Sequence, residues 1–296
     1  MSSEAVAVRK RSVGRRLAGL FYGRPRLQLG SLLSAPMAWL AILYLGSLAI
    51  LLVTAFWTVD ALSGDVVKEF SLANFEELVN VPVYREIVWR TVRTAFLVTL
   101  TDAVIAFPIA FFMAKVASRR VKAILVVAVL MPLWSSYLVK VLAWREMISE
   151  HGIINWALEP IGLSGPGEGL VAVWLVFSYL WLPYMILPIF AGLERIPDSL
   201  INASEDLGAS PFTSFRRVIL PLAFPAVVAG SIFTFSLTLG DYIAPALVSN
   251  DQFIGTSIRA SITNNQPFAA AFALVPIVVV IAYLGVARRL GAFEHV

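Results

Sequence analysis

ERIPDSLINASEDLGASPFTSFRRVILPL, Glu194 to Leu222, is a polar interruption in a chain otherwise dominated by apolar stretches. Its charged residues (Glu194, Arg195, Asp198, Glu205, Asp206, Arg216 and Arg217) are too numerous for a membrane-crossing helix. Pro197 followed by Asp198 predicts a helix start, and Leu200, Ile201, Ser204, Glu205 and Leu207 continue it as a short amphipathic turn or two. Gly208 permits the positive φ that ends such a helix. Ser210-Pro211 starts a second short helix, with Pro211 at its first position and Phe212 and Phe215 on one face. The segment therefore predicts a compact helix–glycine–helix facing water between two apolar spans. That shape suits insertion into a groove on a soluble partner; a plain elbow joining two spans accounts for the same pattern.

Working outward, the chain of 296 residues is 59% hydrophobic and 14% charged, far from the roughly 45–50% and about 25% of a soluble domain. Six stretches approach or exceed the ~20 apolar residues that cross a bilayer. They run from about Leu32 to Val59, Thr91 to Val116, Val121 to Trp144, Leu170 to Leu193, Val218 to Val248 and Phe268 to Ala287. The fifth, interrupted by Pro221, Pro225 and Pro245, reads as a broken helix or a helix plus a half-inserted segment. An all-α membrane domain over 31–296 follows a basic tail over 1–30, with the polar loop at 194–217. The first apolar stretch is too long for a cleaved signal and reads as a retained anchor.

Lys and Arg set the orientation. Arg9, Lys10, Arg11, Arg15, Arg16, Arg24 and Arg26 lie in the tail, and Lys115, Arg119, Arg120 and Lys122 between spans two and three. Arg195, Arg216 and Arg217 lie between spans four and five, and Arg288 and Arg289 after span six. Sixteen of 23 basic residues thus share one side, which the positive-inside rule makes cytoplasmic together with both termini. Basic charge therefore reports topology rather than nucleic-acid binding. The opposite face is acidic, from Asp60 to Glu86 and from Glu146 to Glu168. It reads as a solvated outer face or as a surface that meets a partner or a cationic solute. Within it, Ser71 to Val79 predicts a short helix capped by Ser71, with Phe75, Leu78 and Val79 as its apolar face.

The absence of cysteine and the presence of only two histidines, His151 and His295, disfavour metal and thiol chemistry. With no histidine and two carboxylates inside the spans, no convergent catalytic set for an intramembrane enzyme is visible. Those carboxylates are candidates for a solute route, because ionisable groups within a membrane are costly. Asp241, late in span five beside Tyr242, would attract a cationic solute with Tyr242 adding a cation–π face, or would pair with an interfacial Arg or Lys. Asp102, mid-way along span two, would line the route or hydrogen-bond a neighbouring helix. Lys140 and Arg145 can snorkel to the outer interface. Trp134 and Tyr137, and Tyr179, Trp181 and Tyr184, form aromatic groups of the kind found in interface belts; Trp134, Trp181 and Tyr184 are further route candidates.

The loop resembles the docking loop of bacterial ABC-importer permeases, written Glu-Ala-Ala, three residues, Gly, nine residues, Ile, one residue, Leu-Pro. Ala203, Gly208, Leu220 and Pro221 match it without gaps, while Asn202 replaces the Glu, Ser204 the second Ala and Val218 the Ile. PLWSSYLVKVLAWREMISEHGIIN (Pro132 to Asn155) and LGDYIAPALVS (Leu239 to Ser249) resemble the polyamine branch of these permeases. The resemblance covers most of the chain from Thr91 onward. Related branches for iron, opines, amino-acid derivatives and aminophosphonates share much of it. It implies the type I importer permease fold in a bacterial inner membrane, with six spans and a cytoplasmic coupling helix. It further implies a second, paralogous permease, two cytoplasmic ATPase subunits that hold ATP and Mg, and an external substrate-binding protein. The chain itself would bind no cofactor and carries no Walker sequence. ATPase docking would fall on Asn202, Ala203, Ser204, Glu205, Asp206, Gly208, Ala209, Pro211, Leu220 and Pro221, with Glu205 and Asp206 supplying the charge that Asn202 lacks. A membrane channel or scaffold without ATP coupling is the remaining alternative.

Overall fold

The computed structural model describes residues 25–60 and 63–289. Most of the basic tail therefore lies outside the described residues. Contacts divide the chain into two units, Met1–Val53 and Thr54–Val296.

The first unit is a single rod: α1 (Pro25–Leu40), a π turn (Ala41–Leu45) and α2 (Gly46–Thr54), the last residue belonging to the second unit. Its apolar part, Leu32–Thr54, has 23 residues. At 1.5 Å per residue it is about 35 Å long, enough to cross a hydrocarbon core of ~30 Å. Its side chains face outward almost throughout, as a helix solvated by lipid or by another chain requires.

The second unit opens with the two-stranded antiparallel ribbon β1 (Thr58–Val59) and β2 (Val66–Val67), a small exception to an otherwise helical architecture. The short helix α3 (Ala73–Asn80) starts one residue later than expected, with Leu72 at the N-cap position. Ser71 is not its N-cap, although its Oγ accepts a hydrogen bond from the Ala73 N–H at 3.2 Å. Asn74 fixes α3 instead, its Nδ2 donating to the carbonyls of Ala55 (3.0 Å) and Trp57 (2.7 Å). Leu78 is buried, whereas Val79 is exposed, so the apolar face is narrower than the sequence suggests.

Helix α4 (Pro82–Phe111) continues through a π turn, Phe112–Val116, and starts well before Thr91. Its polar first turns hid that start: Arg90 pairs with Glu86 at 2.8 Å and with Asp251 at 3.2 Å. The third span is not one helix. α5 (Arg119–Trp134) and the segment Tyr137–Ile161, which opens with α6 (Tyr137–Ile148), meet at a 91° bend, with Ser135 extended between them. The carbonyl of Pro132, left without its helical partner, accepts from the Ser135 hydroxyl (2.8 Å) and the Lys140 Nζ (3.0 Å). Lys140 thus reaches back to the break rather than out to the interface.

After α7 (Ile153–Leu158) comes α8 (Leu170–Glu194), within a residue of the expected span. α9 (Asp198–Asp206) and α10 (Pro211–Ser214) form the loop. α10 is not separate: it runs through a π turn, Phe215–Ile219, into α11 (Leu220–Gly240), making one helix of 30 residues, Pro211–Gly240. α12 (Ile243–Val248), α13 (Ile254–Ser261) and α14 (Gln266–Arg289) complete the chain. Among the described residues five helices are long and apolar enough to cross a membrane, or six if the bent α5–α6 pair counts as one span.

The core lies where α4, α8 and α11 pack together. Glycine lets α8 and α11 approach closely. A Cβ on Gly192 would collide with the Ala226 Cβ, and one on Gly230 would meet the Met185 sulfur at 2.8 Å. Small residues at such crossings replace the hydrophobic drive that lipid removes. Gly192→Leu is therefore expected to force the helices apart and to cost about 3 kcal/mol, the upper part of the overpacking range. A thermal melt of the purified chain in detergent, with Gly285→Leu as the open-space control, would detect it.

Candidate functional site

The polar loop is a two-layered turn. Pro197 is extended and precedes α9; Asp198, its first residue, pairs with Lys115 Nζ at 2.7 Å. That ammonium holds the Asp198 carboxyl below its ordinary range. α9 ends where Gly208 adopts φ +82°, with the N–H of Gly208 donating to the Glu205 carbonyl (2.8 Å) and that of Ala209 to Ser204 (3.0 Å). The Ser210 side chain accepts from the Thr213 N–H and caps α10, with Pro211 at the first position. Ser204 explains its own departure from the family pattern. Its Oγ donates to the Ile201 carbonyl (2.8 Å) and lies 2.7 Å from the buried Ser214 Oγ, so the hydroxyl pair joins the two limbs.

One face of the loop is anchored and the other is free. Phe215 packs edge-on against Phe107 at 5.5 Å, and Ile201 joins the inner core with Ile219 and Leu193. Leu207 is 89% exposed and Phe212 71% exposed, so Phe212 and Phe215 do not share one environment. Asn202, Ala203, Glu205, Asp206, Gly208 and Pro211 are exposed as well, while Ala209 is half-buried. Leu220 and Pro221 are exposed at the start of α11. Two large apolar side chains flanking a glycine turn, set among two acidic residues, form a surface that burial against another protein would stabilise.

The route candidates fall into separate groups. Asp241 sits in the break between α11 and α12. Its Oδ1 accepts from the N–H groups of Ile243 (2.8 Å) and Ala244 (3.0 Å), capping α12, and its Oδ2 accepts from the Tyr137 hydroxyl. It is thus a helix-end residue, but its partner is a tyrosine rather than an Arg or Lys. Tyr137 stacks on Trp181 (6.1 Å), which meets Tyr184 edge-on (6.0 Å). Trp181, Tyr184, Tyr137 and Asp241 therefore make one contiguous cluster. Tyr242 stands apart, with the Arg259 guanidinium 5.1 Å over its ring, so a cation of the chain itself holds that face. Trp134 is 81% exposed and joins neither group.

Asp102 is fully buried in α4, with the Ser178 hydroxyl of the neighbouring helix α8 beside its carboxyl. Trp181 Nε1, on the same helix as Ser178, is buried without a hydrogen-bond partner among the described residues. Sequence reading did not find Ser178 or Arg259: each acquires its place through contacts between helices distant in the chain, which no local pattern records.

Comparison with known proteins matches the geometry. Residues 85–292 match the model of the family described as binding-protein-dependent transport system inner membrane component. The chain is 43% identical over 302 aligned residues to the inner membrane ABC transporter permease protein YdcU of Escherichia coli, covering 94% of this chain and 95% of that one. It is 30% identical to the spermidine/putrescine transport system permease protein PotB of Haemophilus influenzae, covering 80% and 85%. A crystal structure of a bacterial ABC transporter that imports the acidic polysaccharide alginate has a chain of the same fold, with a TM-score of 0.70 at 18% identity over 93% of this chain and 99% of that one. A chain of the methionine ABC transporter MetNI aligns with a TM-score of 0.55 at 19% identity, over 71% and 95%. With a family match over most of its length, close relatives among inner-membrane permeases and the ABC-importer permease fold, this chain belongs to the inner-membrane component family of binding-protein-dependent transport systems.

Proposed function

We propose that this chain forms half of the translocation path of an ATP-driven importer for a polyamine such as spermidine or putrescine. It works in a bacterial inner membrane with both termini cytoplasmic, beside a paralogous permease. Two ATPase subunits, which bind ATP and Mg, dock on the α9–α10 loop, and an external binding protein delivers the solute. The observation that carries this reading is the solvent-facing helix–glycine–helix, with Leu207 and Phe212 presented on either side of Gly208. Glu205 and Asp206, both exposed, supply the charge at the ATPase surface where Asn202 has none.

The polyamine assignment rests on the likeness to PotB and on the chemistry at the fifth-span break. There a carboxylate, Asp241, lies beside Tyr137, Trp181 and Tyr184, and aromatic faces together with a carboxylate suit an organic ammonium. The alginate transporter shares the fold while handling an acidic polymer, so the fold itself leaves the solute open. Proteoliposomes holding the complete transporter, given ATP inside the ATPase compartment and radiolabelled spermidine with the binding protein, test the reading. ATP-dependent accumulation that unlabelled putrescine suppresses is the expected result. Accumulation without ATP, or competition by an opine or an iron chelate but not by polyamines, would contradict it.

A further inference from the structure

Two lysines join the base of the docking loop to the helix hairpin beside it. Lys115, in the π turn that ends α4, donates from Nζ to the Ile196 carbonyl (2.6 Å) and to Asp198 Oδ1 (2.7 Å). Lys122, in the first turn of α5, donates to Glu194 Oε1 (2.8 Å) and to the Ala114 carbonyl (3.3 Å), and its Nζ lies over the Phe190 ring at 5.9 Å. Glu194 is the last residue of α8 and Asp198 the first of α9, so the two contacts grip both sides of the bend that leads into the loop. Lysines that serve topology alone extend into water. These do not: the Lys115 side chain is only 10% exposed and that of Lys122 28%.

We propose that Lys115 and Lys122 form a two-point clamp that transmits movement of the docking loop to the α4–α5 hairpin. The inference rests on the reading that the loop docks an ATPase. The clamp has somewhere to send the movement. α5 runs from Lys122 to the 91° break, and beyond that break α6 carries Tyr137, which is bonded to Asp241 at the break in the fifth span. A loop displacement that pulls Glu194 and Asp198 therefore pulls one end of a rigid helix whose other end lies at two hinged breaks. Such a chain of packed helices and charge-assisted bonds is a contiguous carrier of coupling. Lys115 and Lys122 are positioning residues: they act through the loop and touch no solute.

The test uses the purified complex of this chain with its partner permease and ATPase. The chain has no cysteine, so single cysteines report without background. Ser135→Cys, exposed at the third-span break, is labelled with a maleimide with and without MgATP plus vanadate. Ala203→Cys reports docking by cross-linking to the ATPase. In the parent complex vanadate trapping should change the labelling rate at position 135 by about fivefold or more, the lower end of coupling between sites. With Lys115→Met and Lys122→Met together, the response should vanish while the cross-link persists. The charge-swapped pair Lys115→Asp with Asp198→Lys should regain part of it. A vanadate response retained in the double methionine variant overturns the clamp, as does a parent complex with no response. Absence of the cross-link in the parent overturns the docking reading instead. Should the double variant fail to assemble, the charge-swapped variant decides alone: an assembled complex with no response, or no assembly at all, overturns the clamp.

Discussion

Gly208→Val is expected to reduce ATP-driven uptake at least about tenfold, with the chain still inserted in the membrane. The glycine has φ +82°, and a Cβ placed there meets nothing within 4 Å. The penalty is therefore conformational rather than steric against neighbours. A left-handed residue other than glycine costs roughly 1–2 kcal/mol, and a β-branched one is a genuine outlier there. Valine escapes the cost by opening the turn, which breaks the N–H bonds of Gly208 and Ala209 to Glu205 and Ser204. It also separates Ser204 from Ser214, the hydroxyl pair that joins α9 to α10. Leu207 and Phe212 then no longer present a single surface. Misplacement worth about 1.4 kcal/mol at a docking contact already lowers the docked fraction tenfold. Gly208→Asn supplies the control, because asparagine tolerates the left-handed region at a helix end. Initial uptake rates normalised to the amount of chain in the membrane should fall for valine and stay near the parent for asparagine. Equal rates for all three would show that the geometry of this turn is irrelevant to transport.

The second large effect is expected at Asp241. Its carboxylate accepts three hydrogen bonds, two from α12 and one from Tyr137. Asp241→Ala leaves the first N–H groups of α12 and the Tyr137 hydroxyl without their acceptor. Loss of a helix cap costs about 1 kcal/mol, and an orphaned half-buried hydroxyl a further ~1 kcal/mol. Tyr137→Phe removes one bond and should cost about 1 kcal/mol. Asp241→Asn separates structure from charge. Its carbonyl oxygen can still cap α12, and its amide can donate to the Tyr137 hydroxyl, while the negative charge is gone. If the carboxylate draws a cationic solute, the asparagine variant should assemble and melt like the parent yet lose most of its uptake. If Asp241 only holds the two breaks together, that variant should transport normally and the alanine variant should fail in both respects. Detergent melts beside uptake rates distinguish these outcomes.

Much of this was legible in the sequence, for identifiable reasons. α8 and α14 appear close to their expected limits because each is a long apolar run with polar punctuation at both ends. Pro197, Gly208 and Pro211 placed the loop helices because each restricts the backbone locally, and local restriction is what a sequence displays directly. The third span misled because its apolar composition continues through Ser135 and Ser136, where the helix axis turns by 91°. Nothing local distinguishes that bend from an ordinary proline kink; the Lys140 reach to the Pro132 carbonyl makes it sustainable. α4 began early because Arg90 finds its second partner, Asp251, far along the chain. The same limit applies to the route candidates. Asp241 and Trp181 could be nominated one by one from residue type, but their connection through Tyr137 exists only once α6, α8 and α12 have packed.

The central claim, that the α9–α10 loop is where an ATPase seats, is tested most directly by proximity. With no other thiol in the chain, Ala203→Cys places a single reactive group on the exposed side of α9. In membranes that hold the assembled transporter, a short bifunctional thiol reagent should join it to a Walker-containing ATPase subunit carrying one introduced surface cysteine beside its nucleotide domain. A cysteine at Glu159, in the acidic segment expected on the external side, should give no such product. Cross-linking of the ATPase from position 159 but not from 203, or from neither in a complex that still transports, would contradict the account.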